Sequence, residues 1–290
     1  MADFWRLDLR GSMSGGDGQA DSIVVNGTQG DDTINVSGDS GGLRVQGLTS
    51  EVRIFHQEQT HDRLTVNALA GNDTVNSTSL ESDGVLLTVT GGLGNDTLLG
   101  GESNELFVGG DGSDVVSMGA GDDTSVWNPG DDNDTIEGQD GYDKLAFNGA
   151  NVAENIAISA IGPRVQFTRN VASVVLDLNG LENIAYLGLG GADVVVVNDL
   201  TGTDVAEINL DLSGPSGGVD SQSDSVIVNG SGLQASGIGL TVDGGDNDDI
   251  IVGSEGVDVL FGGDGDDVLL GGPGVDVLDG GNGDNIIIPD

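Results

Sequence analysis

The sequence lacks cysteine, has few aromatic residues and contains no long apolar run. Without a cysteine among its 290 residues the chain forms no disulfide, so a fold outside a cell would need another source of stability, such as a metal ion. Aromatic residues make up only 3% of the chain, whereas 52 residues are glycine, and this composition favours a narrow stacked core over a globular one. No segment approaches the roughly 18 apolar residues of a membrane span, so we expect none.

Positive charge is also scarce. The chain contains 8 Lys and Arg residues against 49 Asp and Glu residues, which gives a formal net charge of −41. Such a chain would repel the phosphates of a nucleic acid, so we exclude nucleic-acid binding, and self-repulsion should keep a metal-free chain expanded. Most of the acidic residues are Asp that recur at fixed positions. This regularity indicates metal ligands rather than a charged tail.

Two residue patterns of common catalytic sites are missing as well. The sequence contains no HExxH zinc helix, and thiol chemistry is impossible without cysteine. The two histidines, His56 and His61, lie in the loop-like stretch RIFHQEQTHDR, which is a poor match to any zinc signature. Carboxylates are so frequent that counting alone leaves a glycosidase dyad open, but two Trp and two Tyr offer few aromatic platforms for a sugar. We therefore expect no enzymatic activity.

Residues 244–290 contain the most regular pattern of the chain, a repeat of nine residues. Its successive units are GGDNDDIIV, GSEGVDVLF, GGDGDDVLL, GGPGVDVLD and GGNGDNIII. We number the positions of each unit from one to nine. Place six carries a carboxylate or its amide, namely Asp249, Asp258, Asp267, Asp276 and Asn285. Place eight is always a large aliphatic residue, namely Ile251, Leu260, Leu269, Leu278 and Ile287. A flexible linker would have no reason to keep an aliphatic residue at every ninth position.

The residue types of the unit predict its local structure. Glycines adopt positive φ without a Cβ penalty, so the first six residues form a tight turn, and the last three form a short strand with place eight pointing inward. If two units make one coil, coils stack as parallel strands about 4.8 Å apart and place-six residues 18 positions apart face each other. The predicted pairs are Asp249–Asp267, Asp258–Asp276 and Asp267–Asn285. Calcium takes about six to eight oxygen ligands, and such turns supply both carboxylates and backbone carbonyls.

The nonapeptide GGxGxDxUx, in which U is a large aliphatic residue, resembles the repeats-in-toxin (RTX) family. The resemblance implies an elongated all-β fold, a parallel β-roll or β-solenoid that binds several calcium ions. It also implies secretion from a bacterium through a type I-like export system that reads an uncleaved C-terminal signal. The first residues, MADFWRLDLR, lack the apolar run of a cleaved signal peptide, which fits such export or a piece cut from a longer chain.

Residues 91–146 form a second block of repeats with more substitutions. Its place-six residues are Asp96, Glu105, Asp114, Asp123, Asp134 and Asp143. The 18-residue rule pairs Asp96 with Asp114 and Glu105 with Asp123. Trp127 and Asn128 break the frame, so the partners of Asp134 and Asp143 stay open. We expect this block to bind fewer calcium ions, or to bind them less tightly, than the block at 244–290.

The segments 1–90 and 147–243 contain short strands with alternating apolar residues but few recognisable units, which suits further solenoid coils in one continuous stack. Three turns keep part of the pattern: GTQGDDTIN with Asp32, ALAGNDTVN with Asp73 and GLGGADVVV with Asp193. These residues are candidates for weaker calcium ligands, and plain solenoid corners remain the alternative.

An internal duplication bears on assembly. Residues 7–27 match residues 210–230 without a gap, and the second copy is preceded by strands whereas the first is preceded only by MADFWR. The sequence shows no capping segment at either end of the stack, and an open coil can template another chain. We expect a calcium-binding structural protein of a cell surface or extracellular matrix that self-assembles head to tail into a filament. The alternatives are ends that something else covers, and a non-catalytic export and folding tail of a larger secreted RTX enzyme or toxin.

Overall fold

The computed structural model of the chain describes residues 4–10, 17–214, 222–229 and 238–289. Within these ranges the secondary-structure elements are β-strands, apart from one 3-10 turn at Val171–Ser173. No helix in this part of the chain has the length and apolar character to cross a membrane. The chain divides into two compact units, residues 1–144 and 145–290. The predicted all-β fold class is confirmed.

The first unit consists of two sheets of short strands. Its strands are β1 (Phe4–Asp8), β2 (Ser22–Asn26), β3 (Thr33–Asp39), β4 (Gly42–Gln46), β5 (Glu51–Phe55), β6 (Arg63–Ala70), β7 (Thr74–Leu80), β8 (Leu86–Leu93), β9 (Thr97–Leu99), β10 (Leu106–Asp111), β11 (Val115–Ala120), β12 (Thr124–Trp127) and β13 (Thr135–Asp140). One sheet has the order β1-β5-β4-β3-β7-β9-β11-β13, and the other has the order β2-β6-β8-β10-β12. From β6 onward consecutive strands alternate between the sheets, as a solenoid of two strands per coil requires.

The second unit repeats this arrangement. Its strands are β14 (Lys144–Asn148, which begins on the last residue of the first unit), β15 (Asn155–Ile161), β16 (Arg164–Arg169), β17 (Val174–Asn179), β18 (Asn183–Leu187), β19 (Val194–Asn198), β20 (Glu207–Asp211), β21 (Ser225–Asn229), β22 (Gly239–Asp246), β23 (Ile250–Val252), β24 (Asp258–Asp264), β25 (Val268–Leu270), β26 (Val277–Asp279) and β27 (Ile286–Ile288). The sheet orders are β17-β16-β15-β19-β21-β23-β25-β27 and β14-β18-β20-β22-β24-β26.

The registers agree with the predicted coil of two nonapeptides. Thr88 in β8 pairs with Leu106 in β10, and Leu106 pairs with Thr124 in β12, all parallel. In the second block β23, β25 and β27 are likewise parallel neighbours. The side chains that point between the two sheets form the core. At place eight, Ile251 and Leu269 are 1% and 0% exposed, so the aliphatic residue of the repeat is the core residue, as predicted.

The structure differs from simple parallel coils at two places. Strands β3, β4 and β5 form an antiparallel meander, and so do β15, β16 and β17. The cause is turn length: Ile161 pairs with Arg164, so Gly162 and Pro163 alone connect β15 to β16. A two-residue turn reverses the chain direction, whereas a parallel neighbour needs a longer crossover. The expected parallel coils therefore contain two antiparallel meanders, while β3 and β15 also pair in parallel with β7 and β19.

The first strand lies at the edge of its sheet. β1 pairs with β5 in parallel, and Trp5 is 70% exposed. His56, in the stretch interpreted as a loop, lies with Nδ1 2.8 Å from Oδ1 of Asp8. Parts of the duplicated segments, residues 11–16, 215–221 and 230, fall outside the described residues.

Candidate metal centre

The place-six side chains are fixed at the starts of strands. Asp96 directly precedes β9, and Asp114 directly precedes the neighbouring strand β11. The Asp96 N–H donates a 2.7 Å hydrogen bond to Oδ1 of Asp114, and the Glu105 N–H donates a 2.6 Å bond to Oδ1 of Asp123. In each of these pairs one carboxylate oxygen of the later residue thus accepts the backbone N–H of the place-six residue one coil earlier. This bond holds the carboxylate in one orientation.

The same bond recurs in both units and links the place-six residues into rows. All five pairs predicted from the repeat are brought together at a separation of 18 residues: Asp96–Asp114, Glu105–Asp123, Asp249–Asp267, Asp258–Asp276 and Asp267–Asn285. The Asp32 N–H donates to Oδ1 of Asp73, and the Asp73 N–H donates to Oδ1 of Asp96. Two of the turns that keep part of the pattern therefore extend the row that contains Asp96. Stacking of place-six residues is therefore a property of the fold and not only of the two repeat blocks.

The structure also supplies the partners that the frame break left open. The Asp114 N–H donates to Oδ1 of Asp134, and the Asp123 N–H donates to Oδ1 of Asp143. Each bond joins residues that are 20 positions apart instead of 18. The two extra residues are absorbed beside Trp127, whose side chain is 1% exposed and whose indole N–H donates to the Asp132 carbonyl. The insertion therefore lengthens one coil without breaking the row.

Three further acidic residues occupy place six without a recognisable nonapeptide. Asp62 accepts the N–H of Asp21, Glu154 donates to Asp193, and Asp224 accepts the N–H of Asp193. The signal for them was in the sequence: an acidic residue followed by two aliphatic residues at the second and fourth positions after it, as in DRLTV, ENIAI and DSVIV. Their turns lack the paired glycines, so a search for the glycine motif misses them.

The second carboxylate oxygen is the one available to a ligand. It is buried and accepts no hydrogen bond in the turns of Asp73, Asp96, Asp114, Asp123 and Asp267. An unpaired buried carboxylate oxygen is costly, because nothing replaces the water that it loses on folding. Its recurrence at the same place of successive turns indicates a repeated ligand rather than an isolated defect.

Backbone oxygen from the next coil faces the same space. The position that a Cβ would take on Gly91 lies 2.2 Å from Oδ2 of Asp96 and 2.6 Å from the carbonyl oxygen of Gly109. On Gly262 that position lies 2.3 Å from Oδ2 of Asp267 and 2.9 Å from the Gly280 carbonyl oxygen. Carboxylate and carbonyl oxygens are the ligands that calcium prefers, so the turns fit this ion. Among the described residues no three His, Cys, Asp or Glu side chains converge on one metal position, so backbone carbonyls would provide much of any ligand shell.

Burial also perturbs the electrostatics of these carboxylates. It raises the pKa of Asp96 to about 6, that of Asp114 to about 7, and those of Asp123 and Asp134 to about 8. The pKa of Asp267 is raised for the same reason. Removal from water disfavours the charged form, so each group is stabilised by a proton or by a cation.

Some place-six carboxylates are instead bonded within their own turn. The Glu105 carboxylate accepts the Gly101 N–H at 3.0 Å and the Ser103 hydroxyl at 2.8 Å. Oδ2 of Asp258 accepts the Ser254 N–H at 2.6 Å. Oδ2 of Asp32 accepts a backbone N–H of its own turn in the same way. The place-six residues are thus not equivalent, although the repeat treats them alike.

The Glu154 turn, whose backbone N–H donates to Oδ1 of Asp193, contains a protein cation. The Tyr186 hydroxyl lies 3.2 Å from Oδ2 of Asp193 and 2.9 Å from Oε2 of Glu154. Nε of Arg169 donates to Oε1 of Glu154, and both side chains of this ion pair are almost fully buried. The guanidinium supplies the positive charge that the other turns lack.

Comparison with known proteins identifies the repeats. The family model of the RTX calcium-binding nonapeptide repeat matches four times, at residues 88–124, 130–146, 243–278 and 252–287. These segments are the two blocks that the sequence pattern defines. No curated protein matches the chain.

Proposed function

We propose that this chain, which carries RTX calcium-binding nonapeptide repeats, is a secreted calcium-binding structural protein that folds when it binds calcium. The observation that supports the proposal best is the row of buried place-six oxygens without hydrogen-bond partners, for example those of Asp96, Asp114 and Asp267. RTX repeats are typical of secreted bacterial proteins, and the proposed role is a structural one.

Charge explains why folding and binding should be one event. The formal net charge is −41, and burial disfavours the ionised form of several place-six carboxylates. The stacked core cannot easily offset both costs without a cation. Since the stacked turns do not exist in an unfolded chain, the free energy of calcium binding becomes free energy of folding.

Far-UV circular dichroism tests this coupling. At pH 7.5 we expect a disordered spectrum in excess chelator and a β spectrum once free calcium reaches millimolar levels. Magnesium at the same concentration is the control, and it should restore less structure because it demands octahedral geometry and gives up its waters reluctantly. A full β spectrum in chelator would contradict the proposal.

We further propose that copies of the chain assemble head to tail into a surface or matrix filament. Support comes from the outermost strands. Ile287 in β27 is 42% exposed, whereas Ile251, at the same place of an inner coil, is 1% exposed. Trp5 in the edge strand β1 is 70% exposed. Edge strands present backbone N–H and C=O groups to another chain, and a contact between two different edges does not close on itself and so yields filaments.

Electron microscopy with calcium and with chelator tests the assembly. Filaments should form in calcium, disappear in chelator, and be lost on deletion of residues 1–9 or in Ile287→Asp. The matched control is Ile161→Asp, because Ile161 is 56% exposed but lies at a hairpin of β15. Monodisperse particles at high protein concentration in calcium would exclude the filament, as would filaments that persist after the deletion. A much longer natural gene product with a catalytic domain would instead favour an export and folding tail.

A further inference from the structure

The turns differ in the backbone at place two, four residues before the place-six side chain. Among the described residues, five place-six Asp residues combine a buried, unpartnered second carboxylate oxygen with a positive φ at place two. The place-two residues are Leu69 (φ 85°), Gly92 (116°), Gly110 (101°), Gly119 (103°) and Gly263 (110°). We name these five, which belong to Asp73, Asp96, Asp114, Asp123 and Asp267, the open turns.

A second set of turns has ordinary backbone at place two. There φ is not positive, and the place-two N–H donates to the second carboxylate oxygen of place six. The bonds run from Thr28 to Asp32 (2.6 Å), Glu58 to Asp62 (2.7 Å), Gly101 to Glu105 (3.0 Å), Ala150 to Glu154 (3.0 Å) and Ser254 to Asp258 (2.6 Å). We name these five the self-bonded turns.

The two states exclude each other for a geometric reason. A hydrogen bond from the place-two N–H occupies the carboxylate oxygen that a cation would need, and it brings a positive hydrogen to the position where the cation would lie. In an open turn the place-two residue has a positive φ, and its glycines lie close to the preceding coil. A Cβ on Gly110 would lie 2.2 Å from the Gly92 carbonyl oxygen, and one on Gly263 would lie 1.8 Å from the Gly245 carbonyl oxygen. The positive φ, rather than contact with the preceding coil, separates the two states, because a Cβ on Gly101 in a self-bonded turn would also lie 2.6 Å from the Leu80 carbonyl oxygen of that coil.

Residue type alone does not decide the state. Gly101 is a glycine, yet its turn is self-bonded, and Leu69 is not a glycine, yet its φ is 85°. Ser254 makes a second hydrogen bond within its turn, because its hydroxyl donates to Oδ1 of Asp258 at 2.8 Å. The state of a turn follows the φ of its place-two residue, so the glycine motif does not report it.

We propose that the backbone conformation at place two determines which turns bind calcium: the open turns bind the ion, and the self-bonded turns fold without it. This inference rests on the proposed calcium-dependent fold and refines it. In the block at 244–290 it assigns calcium to Asp267 and not to Asp258, although both units have Asp at place six and a large aliphatic residue at place eight. In the block at 91–146 it assigns calcium to Asp114 and denies it to Glu105.

Two matched pairs of amide variants test the assignment. Asp267→Asn and Asp114→Asn remove the open oxygen but keep an Oδ1 that can accept the backbone N–H of the preceding coil. Asp258→Asn and Glu105→Gln are the matched changes in self-bonded turns. Native mass spectrometry in saturating calcium should show at least one ion fewer in each open-turn variant and the wild-type count in each self-bonded variant. Equal losses in the two members of a pair would overturn the inference.

A measurement on the unaltered protein keeps the test independent of whether the variants fold. Crystals grown in calcium should give anomalous difference peaks beside Asp114 and Asp267 and none beside Glu105 and Asp258. A peak beside either of the latter would overturn the inference. A wild-type protein that binds no calcium in calorimetric titration would contradict the proposed function itself, which distinguishes the two failures.

Discussion

At the scale of single residues, the two oxygens of a place-six carboxylate have different roles. Oδ1 of Asp267 accepts the Asp249 N–H at 2.9 Å, whereas its Oδ2 is buried without a hydrogen-bond partner. The Glu105 carboxylate is satisfied by Gly101 and Ser103. Loss of the Asp267 side chain therefore removes a hydrogen bond between coils and a proposed ion ligand. Loss of the Glu105 side chain removes hydrogen bonds within one turn.

We expect Asp267→Ala to raise the calcium midpoint of folding more than Glu105→Ala does. The first variant leaves the buried N–H of Asp249 without its acceptor, which costs about 1–3 kcal/mol, in addition to the lost ligand. A calcium titration followed by circular dichroism measures both midpoints. Equal shifts would contradict the stacking of place-six residues as the basis of calcium binding.

The buried ion pair of Arg169 and Glu154 gives a second prediction at this scale. Removing one partner of such a pair leaves an uncompensated buried charge, so Arg169→Met should cost about 3–5 kcal/mol in free energy of unfolding. The matched control is Arg164→Met, because Arg164 pairs with an Asp177 side chain that is 56% exposed, and such pairs contribute about 0–1 kcal/mol. Urea unfolding in saturating calcium compares the two variants, and similar losses would refute a structural role for the Arg169 charge.

At the scale of the turn and its strand, glycine at place one keeps the ion space clear. A Cβ on Gly91 would lie 2.2 Å from Oδ2 of Asp96 and 2.6 Å from the carbonyl oxygen of Gly109. The methyl group would therefore stand between the two oxygens that are placed to share an ion. The need for glycine here is steric, since the φ of Gly91 is not positive.

We accordingly expect Gly91→Ala to weaken calcium binding. Gly30→Ala is the matched control, because a Cβ on Gly30 meets no atom within 4 Å and its φ is also not positive. Calorimetric titration should show a reduced affinity or one ion fewer for Gly91→Ala and no change for Gly30→Ala. Unchanged binding in Gly91→Ala would show that the ion does not use the space beside Asp96.

At the scale of the whole molecule, pH and calcium act on the same carboxylates. Burial raises the pKa of Asp96 to about 6, of Asp114 to about 7 and of Asp123 to about 8, from an ordinary value of 3.8. A carboxyl whose pKa is raised by folding binds its proton more tightly in the folded state. Its contribution to stability is fully present below about pH 4 and is lost as the pH rises through the folded-state pKa.

Acid should therefore partly replace calcium. In chelator, we expect β structure to be greater at pH 5 than at pH 8.5, with most of the loss between about pH 6 and 8. Circular dichroism over this pH range, repeated in saturating calcium as the control, measures the effect. A metal-free β signal that grows as the pH rises would contradict the sign of these pKa shifts.

The sequence by itself determined the repeating chemistry. Place six, the aliphatic core residue and the 18-residue pairs follow from local rules, because turn glycines, strand alternation and a fixed repeat length act over a few residues. The pairs Asp96–Asp114 and Asp267–Asn285 are where those rules place them.

Only the tertiary structure decided the features that depend on neighbours distant in the chain. Packing of Trp127 in the core sets the 20-residue separation of Asp114 and Asp134. Two-residue turns convert predicted coils into antiparallel meanders, and Arg169 reaches Glu154 from the neighbouring strand of such a meander. Gly101 and Gly110 adopt different backbone conformations although both are glycines at place two. The Gly101 N–H donates to the carboxylate of its own turn, whereas Oδ2 of Asp114 in the Gly110 turn has no hydrogen-bond partner. Residue type leaves both conformations open to a glycine, so the choice depends on contacts that form only in the folded chain.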